Sequence, residues 1–140
     1  MNQVDKKLIE GPFNKAIKLW KEKYFDEAIS ILLDIAYAYP SFPAVFGVLG
    51  AVYRESGDLP NALKCFKKTT TLSPKSELAS RGLFHCLFAT GQKDKAFAEA
   101  RRFLSLRHSD EYDRILNEIN LGLVVLPTNF LKIADDISQN

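Results

Sequence analysis

Residues 43–74 read PAVFGVLGAVYRESGDLPNALKCFKKTTTLSP, and this segment carries the strongest indication of the fold. Its first half places Phe46, Leu49 and Tyr53 on one side of a helix, and Gly57 then breaks the pattern. A second stretch of helical period follows the break and ends at a proline. The sequence therefore predicts two antiparallel helices joined by a tight turn.

The same pattern recurs along the chain with a fixed period of 34 residues. Ala28, Ala62 and Ala96 stand at this interval, each near the start of a helical stretch that follows a short break. The turn glycine and the closing proline recur as well, as Gly57 and Gly91 and as Pro40 and Pro74. Because each such unit must cover the apolar face of the next, this period indicates a stacked repeat.

The middle unit, Phe46-x2-Leu49-Gly50-x2-Tyr53 followed by Ala62-x3-Phe66 and Pro74, resembles the tetratricopeptide repeat (TPR), with Phe in place of the usual first Trp. The resemblance covers about residues 9–110. It implies an all-α, right-handed helical solenoid of three helix-turn-helix repeats. Arrays of this family are protein-binding scaffolds with many unrelated partners, so the resemblance leaves the biology open.

The boundaries of the predicted units follow from the same register. The TPR domain is expected at 1–122, with repeats at about 9–42, 43–76 and 77–110 and a capping helix at about 110–121. A C-terminal tail with one short helix is expected at 123–140.

Capping residues give the expected ends of individual helices. Pro12 is expected to open the first helix, since its missing N–H would be unpaired in a first turn anyway. Asp26 and Asp110 are expected to cap later helices, Gly122 is placed to end the capping helix, and Thr128 is placed to start the helix of the tail.

Small residues are predicted at the crossing of the two helices in the middle unit. Gly50 and Ala62 fall where these helices approach closely, so a bulky side chain at either position would push them apart.

The resemblance also places the first helix of each repeat along a concave, partner-binding groove. By register the groove residues are Phe13, Ile17, Trp20, Gly47, Ala51, Arg54, Leu78, Arg81, His85 and Phe88. This groove is apolar and lightly basic, which suits an amphipathic helix or an apolar strand of a partner protein. The alternative is that the protein's own tail, or the segment before Pro12, fills it.

A second candidate surface lies on the helix after Asp26. Leu33 and Tyr37 correspond to Lys67 and Thr71 one repeat later, so the earlier helix is apolar nearly all round. A helix of this kind is usually covered. The N-terminal ten residues, the C-terminal tail and a second copy of the chain are the candidates.

One known TPR function is disfavoured by the residues in the groove. Repeats that grip the acidic C-termini of heat-shock chaperones use a clamp of Lys, Asn and Arg side chains. The matching positions here hold no such donor, so a terminal carboxylate would lack its bidentate partners. These positions are Phe13, Ile17, Val48, Leu78 and Gly82.

The net charge, the apolar segments and the cysteines indicate which partners and which cellular compartment to expect. The net charge of +2 is too small to indicate nucleic acid or a membrane surface. Residues 1–10 are polar and unlike a secretory leader, and no apolar run is long enough to span a membrane. Cys65 and Cys86 lie in different repeats without metal spacing, as expected for buried thiols in a reducing compartment. The sequence predicts a cytoplasmic protein.

No motif indicates an enzyme, a metal site or a cofactor. The chain has no glycine-rich phosphate loop, no zinc spacing and no nucleophile elbow. The leading prediction is a non-enzymatic interaction module, adaptor or chaperone-like, that binds a protein or peptide through its groove. The alternatives are a structural homo-oligomer formed through the first repeat and tail, a small bacterial secretion chaperone, and a toxin-neutralising immunity protein.

Overall fold

The computed structural model describes residues 2–120, and within this range the chain is all-helical, as predicted. The described residues contain seven helices and no strand: α1 Gln3–Lys21, α2 Phe25–Ala38, α3 Pro43–Glu55, α4 Leu59–Leu72, α5 Glu77–Ala89, α6 Lys93–Leu104 and α7 Asp110–Asn120. Consecutive helices pack in pairs, α1 with α2, α3 with α4 and α5 with α6. These pairs are the three predicted repeats, and α7 is the predicted capping helix.

The chain divides into two compact units, Met1–Ser73 and Pro74–Asn140. The first unit holds α1–α4, and α2 also packs against α3 there. The second unit holds α5–α7 among the described helices.

The first helix begins earlier than expected. Asn2 caps α1 by accepting a hydrogen bond from the backbone N–H of Asp5 at 2.9 Å, and Pro12 lies inside the helix. The prediction that Pro12 opens this helix is therefore wrong. A proline inside a helix removes one backbone hydrogen bond and crowds the residue before it. Gly11 reduces this crowding because it has no Cβ, and α1 continues through the proline.

The predictions that Asp26 and Asp110 are N-cap residues are also wrong, because each lies inside its helix. Helix α2 begins at Phe25, one residue before Asp26, and Tyr24 at its N-cap forms no side-chain cap hydrogen bond. Helix α7 is capped by Ser109, whose Oγ accepts from the backbone N–H of Tyr112 at 3.0 Å, and Asp110 is its first residue. Asp58, in contrast, caps α4 through Asn61 at 3.2 Å.

The turns inside the three repeats share one backbone geometry. Gly57 and Gly91 have positive φ angles of 91° and 80°. Lys23 stands one repeat earlier at the same position and has φ 66°. The first repeat therefore forces a side chain into a conformation that glycine adopts without strain.

The core of the first unit has small residues where α3 and α4 pack together. A Cβ on Gly50 would lie 2.9 Å from the ring of Phe66, and Ala62 is fully buried. These contacts agree with the predicted crossing of α3 and α4. The remaining centre of this core consists of fully buried apolar side chains, among them Ala16, Ala28, Leu32, Val45, Leu49 and Val52.

The core of the second unit is aromatic. The ring of Phe84 contacts those of Phe97 and Tyr112 at centroid distances of 6.1 and 5.7 Å, and Phe103 lies 5.6 Å from Tyr112. All four side chains are at most 1% exposed. Tyr112 thereby seats α7 on α5 and α6.

A buried polar network runs through the same core. The Ser80 hydroxyl donates to Glu99 at 3.0 Å and lies 2.6 Å from the hydroxyl of Tyr112. The Glu99 carboxylate also accepts from the Nε of Arg102 at 2.6 Å. A further guanidinium nitrogen of Arg102 donates to the carbonyl of Pro74 at 2.9 Å. The burial cost of these polar groups is offset because each has a partner.

The predicted end of α7 at Gly122 and the short helix after Thr128 lie outside the described residues. Within the part of the chain that the structure describes, no helix has the length and apolar character needed to cross a membrane.

Candidate partner-binding surfaces

The predicted groove residues of the first helix lie on the side of α1 that approaches α3. Trp20 and Phe13 are half-buried against the core of the first unit, and Ile17 is half-buried between them along the helix. The indole Nε1 of Trp20 donates to Glu55 at 2.9 Å, which joins the C-terminal ends of the two helices. Sequence reasoning missed Glu55, because nothing in the repeat pattern marks it.

The predicted groove residues of α3, at positions 47, 51 and 54, share one side of that helix. Ala51 is half-buried. Gly47 and Arg54 lie against α4: a Cβ on Gly47 would be 3.8 Å from Thr69, and the Arg54 guanidinium lies 5.8 Å from the centre of the Phe66 ring. The structure therefore brings Trp20 together with Glu55, but places Arg54 beside Phe66.

In the second unit, four predicted residues form a stripe along α5. Leu78 stands at its N-terminal end with 75% of its surface exposed, and His85 is exposed further along. Phe88 is half-buried, stacked on Phe84 at 5.9 Å with the ammonium group of Lys93 5.5 Å from its ring. This stripe offers one projecting apolar side chain and one anchored ring.

Arg81 lies in the same stripe, and its charge is already compensated. Its guanidinium is 3.5 Å from Glu77 and 4.0 Å from Glu111. The Glu111 carboxylate also accepts from Arg114 at 2.7 Å, and these arginines hold its pKa below the ordinary value. The stripe therefore carries less positive charge than its sequence indicates.

The second predicted surface is exposed. Tyr37 is 92% exposed and Leu33 is 47% exposed on α2. Residues 3–10 belong to α1 and leave Leu33 and Tyr37 exposed, so this candidate segment does not cover the face. No other segment within residues 2–120 covers it either.

The two thiols are separated and buried to different extents. Cys65 is half-buried in the first unit, where burial and then the charge of Asp58 raise its pKa to about 11. Cys86 is buried in the second unit. Neither forms a disulfide.

Among residues 2–120, one cluster of potential metal ligands lies on the surface. Ligand atoms of His108, Asp110 and Asp113 all lie within 4.8 Å of one another. His108 Nε2 is 2.7 Å from Asp110, and the hydrogen bond and charge of that carboxylate raise the histidine pKa. All three side chains are exposed, and acidic groups of this kind are common without a metal. The geometry is that of a surface ion pair.

Comparisons with known proteins match the fold of this chain at low sequence identity. No family model matches the sequence, and no curated protein matches it. Among solved structures, the chain is similar to the type III secretion chaperone SycD of Yersinia enterocolitica in complex with a peptide of the translocator YopD. The TM-score is 0.71 at 13% identity, over 99% of this chain and 98% of that one.

The structures of two TPR domains are also similar to this chain. The first TPR of Spaghetti (RPAP3), bound to the HSP90 peptide SRMEEVD, has a TM-score of 0.70 at 21% identity and covers 80% of this chain and 90% of that one. The Sgt2 TPR domain from Aspergillus fumigatus has a TM-score of 0.66 at 18% identity, covering 90% and 87%. Together with the 34-residue period and the paired helices, these matches show that the chain has the tetratricopeptide-repeat fold.

Proposed function

We propose that this protein is a non-enzymatic interaction module that binds a partner protein or peptide through the first helices of its repeats. The observation that carries the proposal is the stripe on α5. There Leu78 projects with 75% exposure on a helix whose other face is deeply buried. An apolar side chain held in water on a rigid helix favours binding, because docking removes its surface from water without ordering a loop.

The other contacts of the proposed surface have distinct roles. His85 and the half-buried ring of Phe88 extend the stripe, and Phe88 offers one face of an aromatic side chain already fixed by its neighbours. In the first unit, Trp20 and Ile17 offer a comparable apolar strip on α1. Rigid aromatic side chains are frequent energetic centres of interfaces.

The chemistry of the proposed ligand follows from this surface. An amphipathic helix or an extended apolar segment would match the leucine and the aromatic rings. A short acidic C-terminus would not, since Phe13, Ile17 and Leu78 stand where the known clamp has donors. Arg81 alone does not replace the clamp, because its guanidinium already lies within ion-pair distance of Glu77 and Glu111.

Similar proteins support this class of function by analogy. SycD has been solved with a translocator peptide, and the first TPR of Spaghetti with an HSP90 peptide. By analogy we infer a protein or peptide partner here, with an adaptor or chaperone-like role. We further place the protein in the cytoplasm, where its two thiols would stay reduced.

The test is partner capture with matched surface variants. The full chain is purified from its native host with its bound proteins, which are identified by mass spectrometry. The complex is then reconstituted and its affinity measured by calorimetry. Leu78→Ser should weaken binding by roughly 30-fold, as expected for a hot spot worth about 2 kcal/mol. Tyr37→Ser is the control, because Tyr37 is also exposed but lies on α2.

Normal binding by Leu78→Ser together with loss of binding by Tyr37→Ser would move the site to α2. Trp20 and Phe88 are poorer probes, because both pack against the core and their truncation would also lower stability. The peptide SRMEEVD serves as a ligand control. We expect no saturable binding, and a micromolar affinity for it would contradict the proposed ligand class.

A further inference from the structure

A shallow groove separates α1 from α2 in the first unit. Its volume is about 510 Å³, and small residues create it: Gly11 and Pro12 on α1 and Ala38 on α2 leave space that larger side chains would fill. A Cβ added to Gly11 would meet no atom within 4 Å. The groove is shallow, and the residues that line it include none of the proposed partner-binding residues of α1.

An apolar edge borders the groove on α1. Leu8 lines it and is 63% exposed, and Val4, one turn earlier, is 65% exposed. Ile31 lines the opposite wall on α2. Two large aliphatic side chains on adjacent turns of one helix form a continuous apolar edge, which marks an interaction surface more often than isolated exposed residues do.

The two walls of the groove carry opposite charges. Lys15 lies on the α1 wall and Asp34 on the α2 wall. The ion pairs formed among residues 2–120 involve neither of them. The helices differ in the same sense: α1 contains five lysines against two acidic residues, whereas α2 contains three acidic residues and no Lys or Arg.

We propose that this groove binds a second copy of the same chain across a twofold axis. In such an interface the same patch meets itself. The opposite charges of the two helices favour the arrangement in which α1 of one copy faces α2 of the other. Leu8 then inserts into the groove of the partner subunit. Lys15 faces Asp34 of the partner subunit, and the symmetry forms this ion pair twice. A surface with a projecting leucine, a matching groove and one charge of each sign is complementary to itself.

Charge-reversal variants of the full chain test the proposal. The wild-type protein should show a reversible monomer–dimer equilibrium at micromolar concentration by sedimentation velocity. Lys15→Glu and Asp34→Lys should each weaken dimerisation by about tenfold or more, because each replaces two attractions by two repulsions. The control is Lys18→Glu, which changes the charge equally on α1 outside the groove. A wild-type chain that stays monomeric at 100-fold higher concentration would overturn the proposal.

Mixing the two single variants separates contacts between copies from contacts within one copy. In a mixed dimer, Glu at position 15 faces Lys at position 34, and the unchanged Lys15 and Asp34 face each other across the second half of the interface. An equimolar mixture should therefore recover a dimer close to wild-type affinity. A mixture that dimerises as poorly as each variant alone would show that these charges do not meet across the interface.

A pair of leucine variants distinguishes this interface from the partner-binding surface. Leu8→Glu should abolish dimerisation while leaving the circular dichroism spectrum and partner binding unchanged, since Leu8 is exposed. Leu78→Glu should keep the dimer and weaken partner binding. Loss of dimerisation in Leu78→Glu but not in Leu8→Glu would refute the assignment of the groove.

Discussion

The hydroxyl of Tyr112 lies 2.6 Å from that of Ser80, and Ser80 in turn donates to Glu99. The three groups belong to α7, α5 and α6, so this relay joins all the described helices of the second unit. Burial raises the pKa of Tyr112 well above its ordinary value, which keeps the phenol protonated as the donor to Ser80.

Removing the Ser80 hydroxyl should destabilise the protein more than removing the Tyr112 hydroxyl. Ser80→Ala leaves the buried Tyr112 hydroxyl without an acceptor and should lower the free energy of unfolding by about 1–3 kcal/mol. Tyr112→Phe leaves Ser80 bonded to Glu99 and should cost about 0.5–1.5 kcal/mol. Urea unfolding measures both.

The double variant of these two residues supplies the control. In the Ser80→Ala background, Tyr112→Phe should be neutral or stabilising, because it removes the unpaired hydroxyl. Strictly additive losses would contradict a direct interaction between the two hydroxyls.

Overpacking the crossing of α3 and α4 should destabilise the first unit. Gly50→Ala brings a methyl group to within 2.9 Å of the buried Phe66 ring, and Ala62→Leu adds bulk at a fully buried site. Each should cost about 1–3 kcal/mol, the usual range for overpacking. Thermal unfolding provides the measurement. Phe66→Leu should reduce the additional cost of Gly50→Ala, and if it does not, the ring is not the obstacle.

Lys23→Gly should stabilise the protein. Lys23 occupies the left-handed region at φ 66°, where a side chain costs roughly 1–2 kcal/mol. Glycine removes that strain, but its greater backbone freedom stabilises the unfolded chain by about 0.4–1 kcal/mol. The expected net gain is about 0.5 kcal/mol in urea unfolding, and a loss would contradict a strained turn. The reverse change at the equivalent turn, Gly57→Ala, is the matched control and should destabilise.

His108 should make stability depend on pH in one direction. The hydrogen bond that the His108 ring donates to Asp110 raises the histidine pKa, so the folded state favours the charged ring. Its stabilising contribution is fully present below the unfolded value of about 6.5 and is lost as pH rises through the folded pKa. The stability difference between wild type and His108→Gln should therefore shrink above that range. In the Asp110→Asn variant, the pKa of His108 measured by NMR titration should fall toward about 6.5. An unchanged pKa would exclude Asp110 as the cause of the shift.

The repeat period predicted the helices well, because it reports which faces must be buried. It placed α3 and α4 correctly and identified Gly50 and Ala62 at their crossing. It failed at Pro12, since the prediction treated the proline alone and did not consider that Gly11 relieves the clash. Helix ends depend on single neighbouring side chains, which the period does not constrain.

Side-chain pairing at the candidate surface was less predictable. The bond from Trp20 to Glu55 depends on the rotation of α3 relative to α1, and residues 35 positions apart share no sequence signal. The sequence predicts a groove cation at Arg81; its nearer partner Glu77 lies four residues earlier on α5, whereas its second partner Glu111 belongs to another helix, α7. Register identifies the side of a helix, whereas the partner of a charge requires the packed structure.

Each of the two units contains one thiol, so the reactivity of the two cysteines can report local unfolding of each unit. A thiol held at a pKa of about 11, as Cys65 is, reacts negligibly with alkylating reagents at neutral pH until its surroundings open. Cys86 is shielded by burial in the other unit. Labelling kinetics followed by peptide mass spectrometry would thus time the opening of residues 1–73 and of 74–140 separately, without any engineered probe. Equal labelling rates at both sites would mean that the two halves open as one cooperative body, and unequal rates would rank their local stabilities.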